Sequence, residues 1–151
     1  MVELKRFKQG YGSSHYWLRQ FFVRLHCLGL WDKVFYNCKE WTWFSFLNMV
    51  ACESWFYFLF QDENIVGAMW FNEFSDDSCY MHICSLKGYD YKLWDGQIGK
   101  ILQNVLDKSD NPCYKIRART LRKGLGRLYK NFGFSPGVKD ANNAFIIERG
   151  K

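Results

Sequence analysis

Proline is nearly absent from this chain, two residues in 151, and no segment is rich in glycine and serine. A flexible linker and a low-complexity tail are therefore excluded as descriptions of its bulk. Long hydrophobic runs are missing too. The longest apolar stretches, around Trp41–Leu47 and Trp55–Phe60, fall far short of the 20 or so residues a bilayer-spanning helix needs. The first residues, Met1-Val2-Glu3-Leu4-Lys5-Arg6, lack the apolar core of an export signal. The expected location is cytoplasmic, with no membrane partner. No two of the six cysteines are spaced C-x-x-C, and His15, His26 and His82 complete no zinc pattern, so no metal is expected. The scattered cysteines read as reduced, mostly buried thiols. Motifs of serine hydrolases (G-x-S-x-G), zinc proteases (H-E-x-x-H) and P-loop nucleotidases are absent.

What the chain has in excess is aromatic surface, 20% Phe, Trp and Tyr, concentrated between Trp31 and Phe74. Each ring can bury about 150–250 Å², so a few large side chains suffice for a core. Rings in excess of that core would form an exposed patch and a surface for a protein partner. With 48% apolar and 24% charged residues, 151 residues fit one ordinary domain spanning 1–151. The net charge of +6 is uneven. Seven basic residues (Lys115, Arg117, Arg119, Arg122, Lys123, Arg127 and Lys130) and no acid lie between 115 and 130. Such a patch attracts phosphate, whether in a nucleotide cofactor, nucleic acid or an anionic partner, or is simply a solvated face. No nucleic-acid-binding motif accompanies it, and nucleic acid ranks last among the partners.

The pattern of apolar residues predicts a first strand at Val2–Phe7 and a loop at Gly10–Ser14, in which Ser13 or Ser14 can cap a helix. Trp17, Leu18, Phe21, Phe22 and Leu25 follow at helical spacing, with Gly29 as the stop. Trp41–Ala51 is apolar at nearly every position and reads equally as buried helix or strand. From there the order is clearer. Ser54–Phe60, Ile65–Phe74 and Tyr80–Leu86 are strands joined by the turns Asp62-Glu63-Asn64 and Asp76-Asp77-Ser78. Ile98, Ile101, Leu102, Val105 and Leu106 mark an amphipathic helix. Tyr114–Thr120 alternates with period two and places Lys115, Arg117 and Arg119 on one face. Leu121, Leu125, Leu128 and Phe132 mark another helix, and Ala144–Glu148 a last strand. The order β-β-β-α-β-α-β predicts an α/β (α+β) domain, a mixed and mostly antiparallel sheet flanked by helices.

Two elements sharpen this order. Leu125-Gly126-Arg127-Leu128-Tyr129-Lys130-Asn131-Phe132-Gly133-Phe134 carries an L-Y-x-x-x-G-F helix end, and Trp94-Asp95-Gly96-Gln97-Ile98-Gly99-Lys100 is a glycine-containing entry to a helix. Over roughly residues 54–149 the chain resembles the GNAT superfamily of acetyl-CoA-dependent N-acyltransferases. It has the look of the short, divergent GNAT-like proteins of tailed bacteriophages, which would place it in the host cytoplasm or the virion. The resemblance implies parallel neighbouring strands at 80–86 and 114–120 that splay into a V-shaped cleft. It also implies acetyl-CoA as cofactor, its pyrophosphate on the backbone amides of Gly96, Gln97, Ile98, Gly99 and Lys100. Helix starts hold anions in this way. The strand at Cys84 and Leu86 would contribute amides to the acyl end, and Arg122 would touch the cofactor or a phosphate. In the family's loop pattern only Gly99 matches. Trp94 stands where Gln or Arg belongs, Gln97 where the first Gly belongs, and Asp95 adds a negative charge.

For the chemistry, the resemblance makes Tyr129 the proton donor to the leaving thiolate. Glu73 and His82 are the candidate bases, on strands bordering the expected cleft. Cys84 lies two residues from His82 on the same strand face, so a Cys–His pair is a further reading beside a buried structural thiol. Two functions follow. One is direct acetyl transfer to an amine that the sequence does not identify. The other is a catalytically degenerate GNAT-like protein serving assembly or partner binding, as in a phage virion.

Overall fold

The computed structural model describes residues 2–35, 41–86, 95–120, 130–135 and 145–151. Six strands form one sheet in the order β1-β2-β3-β4-β5-β6: β1 Val2–Arg6, β2 Trp55–Gln61, β3 Asn64–Asn72, β4 Ser78–Ser85, β5 Lys115–Thr120 and β6 Phe145–Gly150. The helices are α1 Gly12–Cys27, the single turn α2 Trp31–Val34, α3 Trp43–Asn48 and α4 Asp95–Asp107. Two compact units divide the chain, the first comprising 1–70 and 83–89, the second 71–82 and 90–151.

In the first unit β1 lies antiparallel to β2, from Val2 opposite Gln61 to Arg6 opposite Tyr57. Leu18, Phe21 and Leu25 are the buried stripe of α1, three and four residues apart as one helix face requires. The predicted serine cap is not what starts this helix. Its N-cap is Tyr11, without a side-chain bond, and Ser14 sits buried inside the first turn, where its Oγ accepts from the Lys8 N–H at 3.0 Å. The stop at Gly29 holds. At φ +65° its N–H donates to His26 O, and Leu30 N–H reaches back to Leu25 O at 2.9 Å, satisfying the last carbonyls of the helix.

The ambiguous segment resolves into α3, capped by Thr42 Oγ1 accepting from Ser45 N–H, followed by a wider π-type turn at Met49–Glu53. A strand is excluded there because the buried residues, Phe46, Met49 and Val50, stand at i, i+3 and i+4, the spacing of one helix face. The aromatic excess goes largely into one core. Trp31, Phe35, Phe46, Phe56, Phe58, Phe60 and Trp70 are buried together. Trp70 stacks on Phe35 and Phe56 at 5.3 and 5.5 Å. Phe44 remains exposed at 77%.

Gly67 on β3 is the tightest point of this unit. A Cβ there would stand 2.3 Å from the Cys84 carbonyl oxygen and 3.1 Å from Ser85 Cα, both backbone atoms that cannot swing aside. Gly67→Ala is accordingly expected to lose about 1–3 kcal/mol by overpacking. Urea unfolding of the variant against the parent checks this, and an unchanged midpoint would refute the close approach.

In the second unit, β5 and β6 are antiparallel over Lys115–Thr120 and Phe145–Gly150. Ile98, Leu102, Val105 and Leu106 are the buried stripe of α4, as their spacing predicts. Ile116 and Ala118 are buried on β5, while Lys115 and Arg119 are exposed and Arg117 partly so. The alternation read from sequence is thus present. Gly133, at φ +83°, closes the helical turn at Lys130–Asn131, with its N–H on Lys130 O.

The cysteines correct the expectation of mostly buried thiols. Of the five described, all free, Cys27, Cys52 and Cys113 are exposed and only Cys79 and Cys84 buried. Cys38 lies outside the described residues. Among the described residues no helix is long and apolar enough to cross a membrane.

Candidate active site

The site is built on the parallel pairing of β4 and β5. Ser78 lies opposite Lys115, Cys79 opposite Ile116 and Tyr80 opposite Arg117. Lys115 N–H, donating to Asp77 O at 3.0 Å, fixes the start of the ladder. The ladder ends at Tyr80–Arg117, yet β4 continues through Met81 and His82 and β5 through Ala118 and Arg119. Parallel pairs that point to one side put Tyr80, His82, Arg117 and Arg119 on a common face.

This face is polar and internally connected. His82 Nε2 lies 2.8 Å from Asn72 Oδ1 at the end of β3. Since an amide oxygen only accepts, the ring donates from Nε2 and carries its lone pair on Nδ1. Burial, helped by the Arg119 charge, pushes the His82 pKa down to about 4, so the imidazole is neutral at pH 7. On β6, Glu148 accepts from Arg117 Nε at 3.0 Å and from Lys115 Nζ at 3.1 Å. Burial would raise the Glu148 carboxyl, but these two partners hold it below the usual range. Much of the basic character of β5 is therefore matched within the sheet.

The residues singled out from sequence fare unequally. His82 sits on this face. Glu73 does not join it by any described contact. It is exposed on the turn after β3, in the left-handed region at φ +52°. Cys84 lies in the first unit, and burial pushes its thiol up to about 12 despite a hydrogen bond with the Ala68 backbone. Burial thus disfavours the thiolate, the form that a Cys–His pair would need. Leu86 is also in that core, and its N–H donates to Val66 O at 2.7 Å. Its amide is thus already used within the sheet. Gly96, Gln97, Gly99 and Lys100 occupy the first turns of α4, exposed or half-buried, whereas the Ile98 side chain is fully buried and offers only its backbone. Tyr129, Arg122 and Trp94 lie outside the described residues.

Sequence reasoning missed Asn72, Tyr80 and Glu148. Tyr80 was recoverable from its two-residue spacing to His82. Asn72 and Glu148 gave no local signal, because cross-strand register alone brings them to their partners.

No family model and no curated protein matches this chain. Solved structures do. The Campylobacter jejuni N-acetyltransferase PseH in complex with acetyl coenzyme A is 15% identical, with TM-score 0.61, covering 100% of this chain and 99% of that one. An aminoglycoside acetyltransferase, AAC(6')-Ib, in complex with coenzyme A is 11% identical at TM-score 0.68, covering 100% and 95%. The GNAT domain of S. lividans PAT reaches TM-score 0.72 at 6% identity, covering 99% and 90%. At such identities the likeness establishes the fold, which is that of GNAT acetyltransferases.

Proposed function

We propose that this chain transfers an acetyl group from acetyl-coenzyme A to an amine by direct attack in a ternary complex. The observation that carries the reading is the fold, with its parallel β4–β5 pair, which is that of solved acetyltransferases in complex with acetyl-CoA or coenzyme A.

The fit of the cofactor rests on α4. The first amides of a helix have no partner within it, and they face anions with the positive end of the helix dipole. At Gly96 and at Gly99 an added Cβ would meet no atom within 4 Å, so the backbone there is approachable. Gly96, Gln97, Ile98, Gly99 and Lys100 would form the turn facing the phosphates, Gly99 through its open surface and Lys100 through its exposed ammonium rather than through amides used inside the helix. Arg122 joins them on the strength of the sequence resemblance. When bound, the cofactor supplies an activated thioester.

The chain's own groups do the rest. Neutral His82 lines the face on which an incoming amine would stand. At a pKa of about 4 it is no reservoir for the amine's proton at neutral pH. Glu73, exposed on the turn beside Asn72, is the second candidate base of this scheme. Tyr129 gives a proton from Oη to the leaving sulfur as the C–S bond breaks, and the proton shed by the amine nitrogen passes through water to restore the phenol, a role that follows from the family resemblance. The inert Cys84 thiol favours direct transfer over an acyl-cysteine route. Of the three features that suggested the assembly reading, the departures of the α4 entry from the family pattern, the basic face of β5 and the aromatic surplus, the last goes largely into the core of the first unit.

The test is binding first, then turnover. Acetyl-CoA at 100 times its Kd is expected to stabilise the protein by about 2.7 kcal/mol, read as a thermal shift. Release of free thiol on an amine panel follows. A folded protein with no shift at millimolar acetyl-CoA would overturn the proposal.

A further inference from the structure

Tyr16, Arg19, Val23 and His26 follow one another along the outer side of α1, and all four are exposed. Tyr16 and Val23 are the large hydrophobic side chains that this helix leaves in solvent, at 63% and 41%. The steps of three, four and three residues are those of a seam along which a second helix lies. Apolar side chains hold one seam position and hydrogen-bond donors the other.

The two donors are already held in place. The Arg19 guanidinium lies over the rings of Trp43 and Phe22, 5.0 and 5.5 Å from their centres. The His26 ring stacks on Trp31 at 4.6 Å and meets Phe22 edge to face at 4.6 Å. A ring beneath a guanidinium or an imidazole steadies it without using its N–H groups. Among the described residues no carboxylate, carbonyl or hydroxyl accepts from either side chain. Neither α1 nor α3, which supplies Trp43, contains an Asp or Glu. Asp32 on α2 is exposed and pairs with neither donor. The face therefore offers charge and donors to carboxylates that its own helices do not supply. Arg19 and His26 stand two turns apart, about 10.5 Å along the axis, the interval at which every seventh residue of a second helix recurs.

We propose that the Tyr16–His26 face of α1 docks an acidic amphipathic helix of a partner protein. Carboxylates one heptad apart on that helix accept from Arg19 and His26, and its apolar side chains pack on Tyr16 and Val23. A second copy of α1 does not meet the description, because it brings arginine towards arginine and no acid. None of these residues has a part in the proposed acetyl transfer, so the face stands whether or not the chain is an acetyltransferase.

A blocked, labelled peptide of about 18 residues tests it, long enough to form a helix, with Leu at one seam position of each heptad and Glu at the other. Its fluorescence anisotropy is followed as the full chain is added at about 0.15 M salt. Saturable binding is expected below millimolar protein, and at least about fivefold weaker binding when the peptide's Glu are replaced by Gln. Arg19→Gln is expected to weaken the Glu peptide about fivefold and the Gln peptide hardly at all, a difference that lost packing alone would not produce. Val23→Glu removes an apolar contact and sets a like charge against the peptide, and is expected to abolish binding. Both positions are exposed and both substitutes are good helix formers, so the fold is kept. No saturable binding in the millimolar range, equal affinity for the two peptides, or equal affinity of Arg19→Gln and the parent for the Glu peptide would overturn the proposal. A dimer that Arg19→Gln disperses, or co-sedimentation of the chain with phosphatidylglycerol vesicles, would also overturn it, by assigning the face to a second copy or to lipid.

Discussion

Between pH 6.5 and pH 4 the folded protein is expected to lose stability to the protonation of one ring, His82. The unfolded imidazole takes up its proton near pH 6.5, the folded one only near pH 4. Within that window the unfolded chain binds more protons, so acidification favours it, and stability rises again as the pH is raised through the same range. At 1.36 kcal/mol per unit, a depression of this size amounts to about 3 kcal/mol, a large fraction of the 5–15 kcal/mol that typically holds a domain together.

The cause is burial first and the like charge of Arg119 second, while the bond from Nε2 to Asn72 Oδ1 is compatible with either protonation state. Lowered carboxyl groups such as Glu148 and Asp77 act in the same direction, but at more acidic pH. His82→Gln keeps an N–H for Asn72 and cannot titrate. Its urea midpoint is expected to stay nearly flat from pH 6.5 to 4.5, where the parent's falls. Parallel slopes for the two proteins would show that some other group governs the acid limb.

Turnover should depend still more steeply on a single hydroxyl. Tyr129→Phe keeps the ring and removes only the O–H, so general-acid loss of about 10²–10⁴ in rate is the expected outcome. A phenol is a weak acid, but the thiolate it serves has a pKa of only about 8.5, and a single nearby donor is enough. The accompanying loss of stability should be no more than about 1 kcal/mol. Affinity for acetyl-CoA should hardly change, since the start of α4 rather than the phenol faces the phosphates in this scheme. Steady-state kinetics with a responsive amine separates these quantities. Equal kcat in parent and variant would take Tyr129 out of the chemistry and leave the fold untouched.

Local chemistry carried the sequence reading a long way. Leu18, Phe21 and Leu25 mark α1 because one helical face repeats every three to four residues. Gly29 marks its end because only a residue tolerant of positive φ closes such a turn cheaply. Apolar runs broken by Asp62-Glu63 and Asp76-Asp77 give the meander, and the stripe on Ile98–Leu106 gives the crossover helix that makes β4 and β5 parallel. These signals lie within a few residues of one another, so one chain read in order contains them. The GNAT order, and with it the expectation of a splay, followed.

Non-local packing decided the remainder. Whether Trp41–Ala51 was helix or strand depended on Phe46 meeting rings from β2 and α2, which no window of that segment reveals. Ser14 left its capping role for the Lys8 amide because the loop before α1 folds back on it. Cys84 and His82 share a strand face in the sequence, yet one is sealed in the aromatic core while the other meets Asn72. Strand register, set over tens of residues by the fit of whole faces, chose those partners. Register also determined that Glu148 should answer Lys115 and Arg117. Lys5, an ordinary charge on a first strand in the sequence, became a cation seated between two rings only when α1 and β2 closed around it.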